Sequence, residues 1–443
     1  MVAAVLVGAA LLAWPALLNG YPILFSDTRA FLAQTDVPLM IWDKPYLYGP
    51  LLHLFHWRLT LWLPLAATLL GLSHLLWLVQ RAVRGQATPR WHVSICAGLA
   101  ALTSAPWVAS LLMPDILAPM VILCLYLLAF APLLRWEAAW LTVLATLAIA
   151  AHLSHLPLAA ALVGVALLLG WRLAPVLRAA LPLALALALL VGLNWLGHGR
   201  PAVSPYGSVF ALARLVADGP AARIIRAECP SAGWHLCRWA DDLPTDSDLF
   251  LWEPDGPVWA ERLDGAQPGG PMSLAPEASE IVGRALRAYP SEIALLAAGN
   301  AATQLFTARV GDVLGRADMG EPLRDRVRSV FGDAEVARLE AGEQWQDRLR
   351  RIAAGLTWPH PWVSILAALA ALVAWRRAHQ AGDQPRLRLV LFVLVGLTAN
   401  AFATGALSKP HHRYQARVIW LLPLAAVLCW RPPRPLPTRP GYP

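Results

Sequence analysis

The residues VAAVLVGAALLAWPALLNGYPILFSDTRAFL (2–32) run a long apolar stretch, 2–18, almost directly into an acid, Asp27. A carboxylate where a membrane helix ends is costly unless it works in water or has a partner. The run has no basic segment before it and no clear small-x-small cleavage site, so it reads as a retained anchor and not as a removed signal. A little further along, IWDKPYLYGPLL (41–52) reads as a shaped loop and not as a plain tether.

Composition extends this reading to the whole chain. Of 443 residues, 58% are hydrophobic and only 14% are charged, against about 25% charged in soluble domains. Runs long enough to span a bilayer, about 20 mostly apolar residues, recur along the sequence. The 21 Trp fit a chain with many membrane interfaces, where indole rings are favoured. The fold class expected is therefore an all-α polytopic membrane protein.

Arginine placement sets the topology. Arg81, Arg84 and Arg90; Arg135; Arg172 and Arg178; Arg376, Arg377, Arg386 and Arg388; and Arg431, Arg434 and Arg439 fall between apolar runs. With all of them on the cytoplasmic side, as the positive-inside rule asks, ten spans alternate without conflict. They lie near 2–18, 59–80, 91–112, 115–133, 138–152, 157–171, 179–197, 358–375, 389–407 and 415–430, with both termini cytoplasmic. The net charge of +8 needs no nucleic acid, because these arginines hold orientation and meet membrane lipids.

Residues 198–357 interrupt the apolar pattern and carry most of the acids; only Asp27, Asp36, Asp43, Asp115, Glu137 and Asp383 lie outside them. The topology makes this block extracytoplasmic. Its three-and-four apolar spacing makes it mainly helical. Cys229 and Cys237 fall within it, and an oxidising compartment favours a disulfide between them over a zinc site, since His235 is the only nearby imidazole. Cys96, Cys124 and Cys429 lie in apolar spans and read as packing residues. The proline- and arginine-rich tail, 431–443, reads as a disordered cytoplasmic segment.

The same topology gathers polar residues on the outer face. The first loop, 19–58, brings Asp27, Arg29, Asp36, Asp43 and Lys44; the second brings Asp115; AHLSHLP (151–157) brings His152 and His155; and LSKPHHRYQAR (407–417) brings Lys409, His411, His412, Arg413, Tyr414 and Arg417. The chain's two lysines, Lys44 and Lys409, both fall here. Residues of both signs from four loops are what a site at the mouth of a helix bundle requires. Plainer readings stand beside this one: Asp115 favouring a helix N-terminus, interfacial histidines satisfied by hydrogen bonds, an Asp43–Lys44 ion pair of small worth, and HHR meeting lipid phosphate.

The acid soon after the first span, with the Lys-Pro-Tyr segment KPYLYGPLL (44–52) leading into the second, resembles the opening of the GT-C superfamily of membrane glycosyltransferases. The many spans and single extracytoplasmic block are similar too, although many members carry that block at the C-terminus. The resemblance implies a GT-C-like fold in a bacterial inner membrane with an active face in the periplasm. It further implies transfer of a sugar from a polyprenyl-phosphate donor to an extracytoplasmic acceptor: a glycan, a lipid or a protein. Asp27 would be the general base and Asp115 a second catalytic acid that positions the acceptor. Lys44, Arg413 and Arg417 would hold the departing phosphate, with Tyr46, Lys409, His411, His412, His152 and His155 lining the site. No cofactor is implied with certainty. A divalent metal shared by Asp27 and Asp115 stays open, since no ligand set has diagnostic spacing. A transporter or flippase for a lipid-linked or anionic substrate is the alternative. Its usual midplane polar residues are here limited to Thr103, Ser104, Asn194, Asn400 and Thr404. A scaffold that docks a protein partner and an outer-face acyltransferase are further alternatives.

Overall fold

A computed structural model describes residues 1–37, 40–169, 173–261 and 269–430. Arg172, the arginines beyond Trp430 and the tail read as disordered lie outside the described residues. Within them the chain is helical, and its one extended pairing is an isolated parallel bridge between Ile23 and Leu111. The protein is a helical membrane protein. Trp62–Arg84, Leu173–His198, Leu349–Gln380 and Gln384–Gly405 are long and apolar enough to cross a bilayer. The other six expected positions hold shorter or two-part helices: Val2–Leu12 with Trp14–Asn19, Pro89–Leu102 with Ala105–Ser110, Pro114–Ile116 with Leu117–Phe130, Arg135–Ala150, His155–Leu169, and His412–Ile419 with Leu421–Cys429.

The break at Thr103-Ser104 lies inside a run expected to be continuous. Local bonds explain it. The Thr103 hydroxyl donates to the Leu99 carbonyl (2.6 Å) and accepts from the Ala105 amide (3.2 Å), while the Ser104 hydroxyl donates to the Ala416 carbonyl (2.6 Å). These hydroxyls take over backbone partners around the break, and Pro106, lacking an N–H, cannot continue the helix by donating to the Leu102 carbonyl. Beyond the break, the Ile23 amide donates to Ser110 and the Leu112 amide to Ile23, which ties the first outer loop to the segment leading into Asp115.

The first helix lies close against its neighbours at Gly8. A Cβ there would stand 2.5 Å from the Ser73 hydroxyl oxygen and 2.8 Å from His92 Nε2, so only glycine permits this approach. At the arginine-rich end of the bundle the arginines also work structurally. Arg81 makes a two-pronged pair with Glu137 at 2.7 and 2.6 Å.

Residues 198–357, expected as one helical domain, contribute to two cores. Helices between Tyr206 and Ala285 enclose their own core around Leu212, Ile225, Phe250 and Ile281, and the Cys229–Cys237 disulfide lies in this part. Trp42 of the first outer loop stacks on Phe210 at 5.0 Å and packs near Trp252 and Trp259. Pro290–Phe306 packs along Gln384–Gly405 while leaving Leu295 and Phe306 outward.

Residues from Val313 to Ala353, in contrast, join the main core with Tyr21, Ile23 and Leu24. Two buried side chains fasten them. The Gln344 amide bonds to both backbone groups of Leu24 and to the Val313 carbonyl. Glu335, 2% exposed, accepts from the Tyr21 hydroxyl (3.0 Å), the Thr60 hydroxyl (2.7 Å) and the Leu61 amide (3.2 Å). Losing such an acceptor leaves buried donors unpaired, at about 1–3 kcal/mol each. Glu335→Ala is therefore expected to lower the thermal denaturation midpoint in detergent clearly. Arg338→Ala, which removes only the exposed partner of Glu335, should hardly move it. Equal midpoints for both variants would contradict this account.

Candidate functional site

The first outer loop folds back on itself. Ser26–Asp36 and Tyr48–His56 form a helical hairpin, pinned by Gln34, whose side chain bonds the Pro45 carbonyl and the Gly49 amide (both 2.9 Å). The Tyr46 hydroxyl donates to the Gln34 carbonyl at 2.9 Å. Tyr46 thus shapes the loop. This folding brings Lys44 to Asp27, with Nζ 3.2 Å from Oδ1. Asp43 also holds Lys44, so one ammonium lies between two carboxylates. Burial alone would depress the Lys44 pKa, but Asp27 and Asp43 outweigh it and the net shift is upward; the amine stays charged. The Asp27 side chain keeps 31% of its surface, against 14% for Lys44, and is therefore the reachable member of the pair.

A second pair lies deeper. Arg417 is fully enclosed and its Nη1 stands 3.6 Å from Asp115 Oδ1. Asn400 Oδ1 accepts from Arg417 Nε (3.0 Å) and Nη2 (2.8 Å), and the Ser154 hydroxyl oxygen accepts from Nη2 at 2.9 Å. Ser154 then bonds His152 Nδ1 at 2.8 Å. His152 and His155 rings lie 5.3 Å apart. His155 Nδ1 bonds the Ala148 carbonyl at 2.7 Å; because a carbonyl only accepts, Nδ1 carries the proton and Nε2 presents a lone pair.

Arg413 stands between the pairs. Its guanidinium lies over Phe25 at 4.4 Å and Tyr414 at 5.0 Å, and its backbone amide donates to Asp312 at 3.0 Å. Tyr414, Asp115 and Asp27 lie close enough to act on its charge electrostatically. Asp115 also pushes the pKa of buried Tyr48 upward, after burial itself. Asp27, Asp115, Arg413 and Arg417 thus share one neighbourhood, with His152, His155, Tyr48 and Tyr414 around it.

Several polar atoms here are enclosed but have no hydrogen-bond partner in the protein: Asp115 Oδ1, Arg413 Nη1, Arg417 Nη1 and His155 Nε2. Buried polar groups are nearly always paired. Asp115 Oδ1 and Arg417 Nη1 face each other at 3.6 Å, which leaves the Arg413 Nη1 donor and the His155 Nε2 acceptor as groups that a polar, anionic ligand would satisfy.

Not every expected residue is here. Lys409 bonds Asp246 (2.6 Å) and Asp248 (3.0 Å), and His411 Nε2 lies 3.5 Å from Asp248. His412 Nδ1 accepts from the Arg309 amide at 3.1 Å. These three residues fasten neighbouring segments to the last outer loop. Arg29 is exposed. The described residues contain no cluster of three or more His, Cys, Asp or Glu side chains that could hold a metal; Asp27 and Asp115 each face a cation instead. Ser154 and Asn400 are partners that sequence reasoning missed, although Ser154 stands between the two histidines and Asn400 is a rare polar residue in its span.

No protein-family model matches the chain, and no curated protein or solved structure matches it significantly.

Removing one member of a buried ion pair costs about 3–5 kcal/mol, because the other is left uncompensated. Arg417→Met should therefore denature at markedly lower temperature, and Arg417→Met with Asp115→Leu should recover part of the loss. A double variant no more stable than Arg417→Met would show that the two charges do not depend on each other.

Proposed function

We propose that the protein is a membrane glycosyltransferase that moves a sugar from a lipid-phosphate donor to an acceptor hydroxyl at the outer face. The observation that supports this most is the approach of Asp27 to Arg413, whose Nη1 is enclosed without a hydrogen-bond partner, beside the Asp115–Arg417 pair. A reachable carboxylate beside donors suited to a phosphate matches the needs of this reaction.

In this reading the acceptor hydroxyl gives its proton to Asp27. Its oxygen bonds to the anomeric carbon as the bond from that carbon to the phosphate oxygen breaks. The electron pair leaves with the phosphate, where Arg413 and Arg417 stabilise the growing negative charge. Lys44 orients Asp27 through the 3.2 Å contact. Asp115, held against Arg417, fixes the guanidinium and leaves one oxygen free for a substrate hydroxyl. The GT-C resemblance and the periplasmic orientation belong to the same proposal.

The test is turnover of a polyprenyl-phosphate sugar by the reconstituted protein. A general base contributes about a hundredfold to ten-thousandfold, so Asp27→Asn should lose that much activity at an unchanged denaturation midpoint. Normal turnover by this variant removes Asp27 as the base. A transporter would instead move substrate into sealed vesicles without a covalent product.

Arg413→Ala addresses the phosphate separately. Charge-assisted hydrogen bonds are worth about 1.5–3 kcal/mol, so donor binding, measured by calorimetry, should weaken roughly 10- to 100-fold. Unchanged donor affinity would show that Arg413 does not hold the phosphate.

A further inference from the structure

Beside the Asp27–Lys44 pair stands a group of aromatic rings that the proposed reaction does not use. The ring of Trp42, on the first loop, lies 5.6 Å from that of Trp252 and 6.3 Å from that of Trp259, and it stacks on Phe210 at 5.0 Å. Trp252 and Trp259 are not covered: they keep 46% and 37% of their surface. The Trp259 indole N–H donates to the Leu251 carbonyl at 2.7 Å, which fixes its ring. Lys44 joins this group to the acid. Its Nζ is 3.2 Å from Asp27 Oδ1 and 6.0 Å from the centre of the Trp252 ring.

Trp252 ends the short helix Ser247–Trp252. Asp248 precedes it by four positions and so shares its face of that helix. Lys409 Nζ lies 3.0 Å from Asp248, and His411 Nε2 lies 3.5 Å from it. The His411 ring packs on Tyr414 at 5.4 Å, and the Tyr414 ring lies 5.0 Å from the Arg413 guanidinium. The aromatic group therefore connects to Asp27 through Lys44 and to Arg413 through Asp248. Exposed flat rings with hydrogen-bonding groups of both signs beside them suit a ligand with an apolar face and a polar edge. A pyranose is such a ligand, with C–H bonds on its face and hydroxyls around its edge. A lipid surface would also accept tryptophan at headgroup level, but anionic headgroups are repelled by the carboxylates of Asp246 and Asp248.

We propose that Trp252 and Trp259, supported by Trp42, form a platform on which a glycan stacks, so that the acceptor of the transfer is a carbohydrate. The C–H face of one sugar unit covers an exposed indole, and its hydroxyls meet Asp248, Lys409 and His411. Lys44 spans the gap between platform and base, which brings the next unit of the glycan to the Asp27 carboxylate. The fate of the bound glycan rests on the glycosyltransferase reading; the binding itself does not, and it is measured without turnover.

Saturation-transfer NMR of the full-length protein in detergent, with maltohexaose, mannohexaose and chitohexaose as probes, tests it. The wild type should pass saturation to the ring C–H protons of at least one hexaose. Trp252→Ala should weaken the Kd for that hexaose about tenfold, while Trp136→Ala, at the arginine-rich end, should leave it unchanged. No saturation of any hexaose by the wild type, or an unchanged Kd in Trp252→Ala, overturns the proposal and leaves the tryptophans as a membrane-surface belt. If Trp252→Ala does not fold, Trp252→Leu decides, since it keeps apolar bulk without the aromatic face: about tenfold weaker binding supports the platform, and unchanged binding refutes it. Failure of the transfer reading looks different. The wild type would then bind the hexaose yet form no product from it with a polyprenyl-phosphate sugar.

Discussion

One fully buried guanidinium organises the end of this protein that holds Asp27 and Asp115. Enclosing Arg417 withdraws a permanent charge from water, a penalty of several kcal/mol even after relaxation. The chain offsets it from separate segments: Asp115 supplies the counter-charge, and Asn400 and Ser154 supply acceptors. Because each partner stands on a different stretch, satisfying Arg417 fixes the second outer turn, the His152–His155 turn and the Gln384–Gly405 helix relative to His412–Ile419. The stack of Arg413 on Phe25 then links that framework to the first outer loop. Asp27 and Asp115, 88 positions apart in sequence, come to the same neighbourhood as a result.

The surrounding segments reinforce this arrangement from outside. Gln344 and Glu335 hold the Val313–Ala353 region against the start of the first loop, and Ser26 donates its amide to the Asp318 carbonyl at 2.9 Å. The Tyr206–Ala285 core reaches the site by two routes. Trp42 inserts beside Phe210, while Lys409 bridges to Asp246 and Asp248. Trp42 lies two positions before Lys44. An aromatic anchor and the Asp43–Lys44–Asp27 cluster thus belong to one short loop, which couples that domain to Asp27.

The sequence was most legible where one physical force dominated. Apolar runs and arginine clusters located helices at all the expected positions, because burial in lipid and charge at its surface act on each segment alone. The Thr103-Ser104 break was not legible. An average over an apolar window hides two hydroxyls that take over backbone partners. The two cores within residues 198–357 were hidden for a related reason. Helical periodicity marks which face is buried, not what it is buried against. Within the site, Asp27, Asp115, Arg413 and both histidines were legible as outer-face residues. Lys409 and His412 were grouped with Arg413 because they share a loop, whereas His411 also packs on Tyr414. Their carboxylate and backbone partners come from distant segments, which spacing cannot reveal. Asp43 was read as Lys44's local partner, whereas the loop's hairpin adds Asp27 as a second.

The two ends of the bundle use arginine in opposite ways, and this difference bears on function. At the end that holds Asp27, Arg413 and Arg417 are enclosed, stacked or bonded; Arg413 Nη1 lacks a hydrogen-bond partner and Arg417 Nη1 faces Asp115 at 3.6 Å. At the other end, Arg81 and Arg386 are neutralised by acids, while Arg84 and Arg377 lie over tryptophan rings. An orientation signal needs only net positive charge near the membrane, so exposed arginines are sufficient for it. It does not require the desolvation that Arg413 and Arg417 undergo. Burying two guanidiniums together with incomplete hydrogen bonding is unfavourable for folding. In the proposed reaction the phosphate of the donor completes the set.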